Sequence, residues 1–106
     1  MKLGIVIYSN DAETVWNAFR LANFSLKEGD AVKVFLIAKG VEYEKLDSEK
    51  FGIKELAKSF LEKNGGIFAC GTCLKSRASE GSATCPMSTL KDLYEIIKEC
   101  DKVLSF

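Results

Sequence analysis

A chain of 106 residues that is 47% hydrophobic and carries 15 basic and 15 acidic side chains is one domain with enough apolar material for a core, and its zero net charge argues against a nucleic-acid binder. Four cysteines and no histidine exclude Ser-His and Cys-His hydrolases and every zinc site that needs imidazole. The longest uncharged apolar runs, Leu3–Tyr8 and Val34–Ala38, fall far short of the ~20 residues that span a bilayer, and Met1-Lys2 leads into a strand, not a signal peptide.

The expected location is therefore the cytoplasm, with no membrane partner. There, several thiols in a short chain point to redox, metal or sulfur chemistry more than to structural disulfides. Leu3-Gly4-Ile5-Val6-Ile7-Tyr8, closed by Ser9-Asn10-Asp11, reads as a strand buried on both faces and a turn. From Asp11 the period changes: Val15, Phe19, Ala22 and Leu26 share one helical side, Asp11 or Asn10 is the N-cap, and Gly29 is the stop. Ala31–Ile37 is a second strand, ended by Lys39-Gly40. Val41–Lys50 is charged and aperiodic. Ile53, Leu56, Ala57, Phe60 and Leu61 then mark a second helix that stops at Asn64-Gly65-Gly66. Gly66–Ala69 is a third strand running into Cys70, Leu74–Ala78 is a turn or two of helix, and Ser79–Met87 is a small-residue loop holding the only proline. The last helix opens at Ser88 or Thr89 with Leu90, Leu93, Tyr94 and Ile97 on one face, and Lys102–Phe106 is the closing strand.

Strand and helix alternate four times, which predicts right-handed βαβ crossovers, a parallel sheet and helices on both faces, in a single domain over residues 1–106. The expected architecture is a flavodoxin-like three-layer α/β domain with a mainly parallel four-stranded sheet of order 2-1-3-4. Its switch point lies between strands one and three, and ligands bind outside the C-terminal strand ends at such a point. Ser9-Asn10-Asp11 and Cys70-Gly71-Thr72-Cys73 emerge there. Ser9 and Asn10 would line the floor of the cleft, although Asn10 also suits a helix cap. Gly40, after strand two, is a further candidate binding position, although turn chemistry alone explains the glycine.

Cys70 ends a buried strand, and a helix start follows it. The free amides of a helix N-terminus favour thiolate, so Gly71 and Thr72 are candidate sulfur-binding positions. Arg77 lies one turn beyond Cys73, with Lys75 nearby, and both can support an anion on sulfur. A single cysteine at a strand end is more often packing than chemistry, but a Cys-x-x-Cys pair shifts that balance. Cys85, in Thr84-Cys85-Pro86-Met87, is a candidate third thiol and equally a small buried side chain beside a proline turn. Cys100 reads as core.

At these residues the chain resembles the DsrE/TusD/YchN sulfur-relay family. The segment Cys-Gly-Thr-Cys-Leu-Lys-Ser-Arg after the third strand, the opening Leu3–Asn10, Ala38-Lys39-Gly40-Val41 after strand two and the closing Asp101–Phe106 carry the resemblance, which spans essentially the whole chain. It implies that Cys70 accepts a sulfane sulfur as a persulfide and passes it to a partner thiol, with Arg77 matching the arginine seven residues on. It also implies sulfur donor and acceptor proteins as partners, and assembly as trimers or hexamers. Many relay members lack the second cysteine, so Cys73 and Cys85 make this chain unusually rich in thiols. Independently of any family, persulfide transfer needs only an ionised thiol, so a protein without histidine and without a cofactor can perform it. Cys73 or Cys85 could resolve the persulfide as an internal disulfide if within bonding distance.

Three other readings compete. Cys70 and Cys73 have the spacing of a thiol-disulfide oxidoreductase, although thioredoxin-like domains place that motif after an early strand. Cys70, Cys73, Cys85 and Cys100 could hold a metal or iron–sulfur cluster, but one pair and two singles are not the paired knuckles of a structural zinc site. A binding module with incidental cysteines is the third. Leu21 and Phe24, opposite the buried side of the first helix, with Trp16 at its flank, suggest a homo-oligomer interface.

Overall fold

The computed structural model describes residues 1–77 and 87–106. In chain order they form β1 (Lys2–Ile7), α1 (Ala12–Lys27), β2 (Ala31–Leu36), a 3-10 segment (Ala38–Leu46), α2 (Ile53–Glu62), β3 (Gly66–Cys70), α3 (Gly71–Ser76), β4 (Met87–Ser88), α4 (Leu90–Glu99) and β5 (Lys102–Ser105). The caps are chemically explicit. Asp11 caps α1, its carboxylate accepting the Thr14 N–H at 3.0 Å, and Thr89 and Asp92 form a reciprocal capping box on α4. Gly29, at φ 93°, takes the left-handed turn into β2.

The sheet is parallel throughout the described residues but has five strands in the order β4-β3-β2-β1-β5. The four-stranded order 2-1-3-4 is thus corrected in three respects, the last being that the closing strand lies beside β1 and not beside β3. First, β2 and not β1 is the central strand beside β3, because β2 is apolar on both faces and needs neighbours on both edges. Its one charge, Lys33, is neutralised by an ion pair with Glu99 of α4. Second, Met87, expected at the end of a loop, and Ser88, expected at the start of the last helix, form a two-residue strand on β3. The closing strand pairs with β1 at the far edge, where all four of its residues are exposed, as befits a short edge strand with a lysine at its start.

Strand alternation then makes two cores. Leu3, Ile5, Ile7, Val32, Val34, Leu36, Ile67 and Ala69 face α1 and α2, where Val15, Ala18, Phe19, Ala22, Ile53, Ala57 and Phe60 bury themselves against them. Phe35, Cys70 and Ile96 form the smaller core under α4 on the other face. The helix stripe expected on α4 is corrected as well: Ile96, with Leu93 and Cys100 at its border, faces the sheet. Leu90, Tyr94 and Ile97 are instead 64%, 58% and 50% exposed.

Candidate functional site

The site lies at the C-terminal edge of the sheet, where β2, β3 and β4 end. Alternation along β3 turns Ala69 toward the α1/α2 core and Cys70 toward α4. Cys70 is 5% exposed and packs with Phe35 and Ile96. Across the β3–β4 ladder it pairs with Ser88. Gly71 makes that approach close, since a Cβ there would stand 3.2 Å from the Ser88 carbonyl oxygen. Helix α3 begins directly at Gly71, earlier than Leu74, and this puts Cys73 on its first turn.

Cys70 opens onto a cavity of about 440 Å³, lined also by Gly71, Thr72, Lys75, Met87, Ser88, Thr89 and Leu90. Cys73 is not among the lining residues. Its Sγ accepts the Ala38 N–H at 3.2 Å and lies close to the Cys70 thiol. Ala38 has φ 53°, a left-handed conformation costly for a residue with a Cβ. Burial pushes the Cys73 thiol above its ordinary range, the Ala38 N–H working against it, so at neutral pH Cys73 rests protonated.

Arg77 is tied down. Its Nε donates to Glu42 Oε2 at 2.7 Å and its Nη1 to the Cys73 carbonyl at 3.2 Å. Asn10 lies near the same Glu42 carboxylate and adds a little to its stabilisation. The guanidinium therefore braces the start of α3 against the 3-10 segment, and Lys75 is the cation on the cavity wall. The Arg77 hydrogen bond holds the Glu42 carboxyl below the ordinary glutamate range. A depressed carboxylate stabilises the fold above its unfolded pKa, and that support is lost as pH falls through the folded value. Glu42→Gln should accordingly lower the melting temperature at pH about 6, with the gap from wild type narrowing as the pH approaches about 3. A gap that stays constant across this range would show that the pair contributes no acid-sensitive support.

Of the residues singled out from the sequence, Cys70, Gly71 and Thr72 meet at the cavity. Cys73, Arg77 and Asn10 form the adjoining network. Ser9 is otherwise engaged, its Oγ accepting the Asp11 N–H at 2.9 Å in the turn before α1. Gly40 is buried against β1, where a Cβ would fall 2.0 Å from the Ile7 carbonyl oxygen. Cys85 lies outside the described residues. Cys100 sits at the opposite end of β1, near Gly4, where burial raises its thiol above the ordinary range. Among the described residues, no three of Cys, Asp and Glu gather in a group that could hold a metal ion. No helix among them is long and apolar enough to cross a membrane. The parts that Glu42 and Ala38 play in the site were not legible in the sequence because each meets its partner 35 residues away.

A five-stranded parallel α/β domain with a strand-end dithiol is the class these features define. The whole chain, residues 1–106, matches the DsrE/DsrF-like family, and the protein belongs to that family. It is 33% identical over 103 residues to the uncharacterized protein MJ0989 of Methanocaldococcus jannaschii, covering 89% of this chain and 88% of that one. The uncharacterized protein MK0008 of Methanopyrus kandleri is 32% identical over 100 residues, covering 89% and 83%. Among solved structures, the ychN protein from E. coli superposes with a TM-score of 0.84 at 20% identity over 100% of both chains. The conserved protein of unknown function BT1422 from Bacteroides thetaiotaomicron gives 0.79 at 19% identity over 99% and 94%. These two share the fold.

Proposed function

We propose that this protein is a cytoplasmic sulfur carrier that takes a sulfane sulfur as a persulfide on Cys70 and hands it to the thiol of an acceptor protein. The observation that carries the reading is the placement of Cys70, a strand-end thiol packed on one side and open on the other to a cavity walled by Lys75 and the first turn of α3. Such a cavity has room for one added sulfur, and Lys75 with the Gly71 and Thr72 amides supplies the positive field its anion needs. Arg77 acts through Glu42, holding the turn in place. Family membership supports the reading. The test is mass spectrometry of the reduced protein after a sulfane donor: an adduct of about 32 Da, one sulfur, on Cys70. An adduct elsewhere, or none, removes Cys70 from this role.

The contact between Cys70 and Cys73 favours a second reading, thiol-disulfide oxidoreduction. It requires insulin reduction that depends on both cysteines, whereas the carrier reading requires none.

The protein also self-associates in this proposal, as a trimer or hexamer. Trp16, edge-on to Phe51 at 5.3 Å, is taken up by the core border, while Phe24 stays 59% exposed. The broader apolar stripe is Leu90, Tyr94 and Ile97 on α4, beside the cavity wall at Leu90. Light scattering should give a multiple of the 11.7 kDa chain mass, reduced by Tyr94→Glu with Ile97→Glu. A monomeric wild type would end this part of the reading.

A further inference from the structure

The carrier reading passes the sulfur to an acceptor thiol, and the surroundings of Cys70 offer a second exit when no acceptor is docked. One side faces the cavity; the other sides are occupied by Phe35, Ile96 and Cys73. The cavity is thus the free side on which a sulfur added to Cys70 can be accommodated, and Cys73, packed against the same small core and close to the Cys70 thiol, is not part of the cavity wall. Displacement at a sulfur atom proceeds in line, with attacker and leaving group on opposite sides, a requirement that a thiol outside the cavity wall and an added sulfur inside the cavity can meet.

We infer that Cys73 is a resolving thiol and that, when no acceptor thiol takes the sulfur, the protein discharges it as hydrosulfide, an inference that rests on the carrier reading. Cys73 Sγ attacks the inner sulfur of the Cys70 persulfide. A Cys70–Cys73 bond forms as the bond from Cys70 Sγ to the outer sulfur breaks, and the outer sulfur leaves through the cavity as HS−, taking the proton that Cys73 loses. The charge is the same before and after. The sulfane sulfur is reduced to sulfide while the two cysteine sulfurs are oxidised to a disulfide, so the step itself needs no outside electrons. A dithiol reductant returns the pair to thiols for the next cycle. Ala38 has a defined part in this step. Its left-handed backbone aims an N–H at Cys73 Sγ, where it stabilises the negative charge that develops as the proton departs.

The experiment uses the whole reduced protein without oxygen, loaded with glutathione persulfide, desalted and left without added thiol. Wild type should show the adduct of about 32 Da giving way to a species about 2 Da lighter than the reduced protein, with one sulfide released per adduct. Peptide mapping of the wild type should find Cys70 joined to Cys73. Cys73→Ser should keep the adduct and release sulfide at least about tenfold more slowly, until dithiothreitol is added. Cys85→Ser should behave as wild type. The inference fails if wild type holds its adduct as long as Cys73→Ser does, or if the disulfide joins Cys70 to Cys85. That failure leaves an adduct on Cys70, whereas failure of the carrier reading is recognised by no adduct on Cys70 in any variant.

Discussion

Gly40→Ala should lower the stability of the domain by at least about 3 kcal/mol, the upper range for forcing an extra methyl into a packed interior. The position does not call for glycine through its backbone angles; space decides it. The new Cβ would sit 2.0 Å from the Ile7 carbonyl oxygen and 2.7 Å from the Ile7 carbonyl carbon. That carbonyl cannot simply retreat, because it accepts the Ile37 N–H at 3.0 Å and so closes the β1–β2 ladder at its C-terminal end. Relief requires the 3-10 segment to lift off the sheet, carrying Glu42 away from Arg77. A melting temperature lower by roughly 10–20 °C is expected. A variant melting within about 2 °C of wild type would show that the segment shifts freely. If that variant had also lost sulfur loading, Gly40 would have a binding role of its own.

Cys70→Ser should abolish sulfur transfer while leaving a folded protein. In an assay passing sulfur from a persulfide donor to an acceptor thiol, the rate should fall at least about a thousandfold, to that of donor and acceptor alone, as happens when the group that bears the covalent intermediate is removed. Serine has nearly the shape of cysteine, but its hydroxyl neither ionises near neutral pH nor forms a stable bond to sulfane sulfur. The structural cost is a hydroxyl placed among Phe35 and Ile96, about 1–3 kcal/mol on protein mutational scales. Cys70→Ala avoids that cost and serves as the second test, since both variants should be equally inactive. Residual transfer in either would move the carrier role to another thiol.

How much of this was legible in the sequence differs by element. Continuous apolar runs located β1, β2 and β3 and the period of 3.6 located α1 and α2, since each has a clear stop, as at Asn64, which takes the left-handed conformation with φ 69° after α2. Strand order was not legible. Alternating strands and helices require parallel neighbours but do not say whether β3 joins β1 or β2. The discriminating signal was weak: β2 is apolar on both faces, and Lys102–Ser105 is too short and polar-ended to be anything but an edge. On α4, Leu90, Leu93, Tyr94, Ile96 and Ile97 are spread over two sides of one helix, so periodicity alone chose the wrong side. At the site, the Cys-x-x-Cys segment announced itself because its partners are local. The Ala38–Cys73 and Glu42–Arg77 contacts join segments that only the closed β2–β3 ladder brings together.

The two-sided character of α4 has a mechanical meaning. One side of a ten-residue rod presses Ile96 against the neighbours of Cys70, the other side is bare, and its first residue, Leu90, forms part of the cavity wall. Whatever grips the bare side holds the thiol's surroundings by the same handle. In the proposed carrier, a subunit or acceptor docked there would be separated from Cys70 by one helix diameter, about 10 Å, of rigid secondary structure.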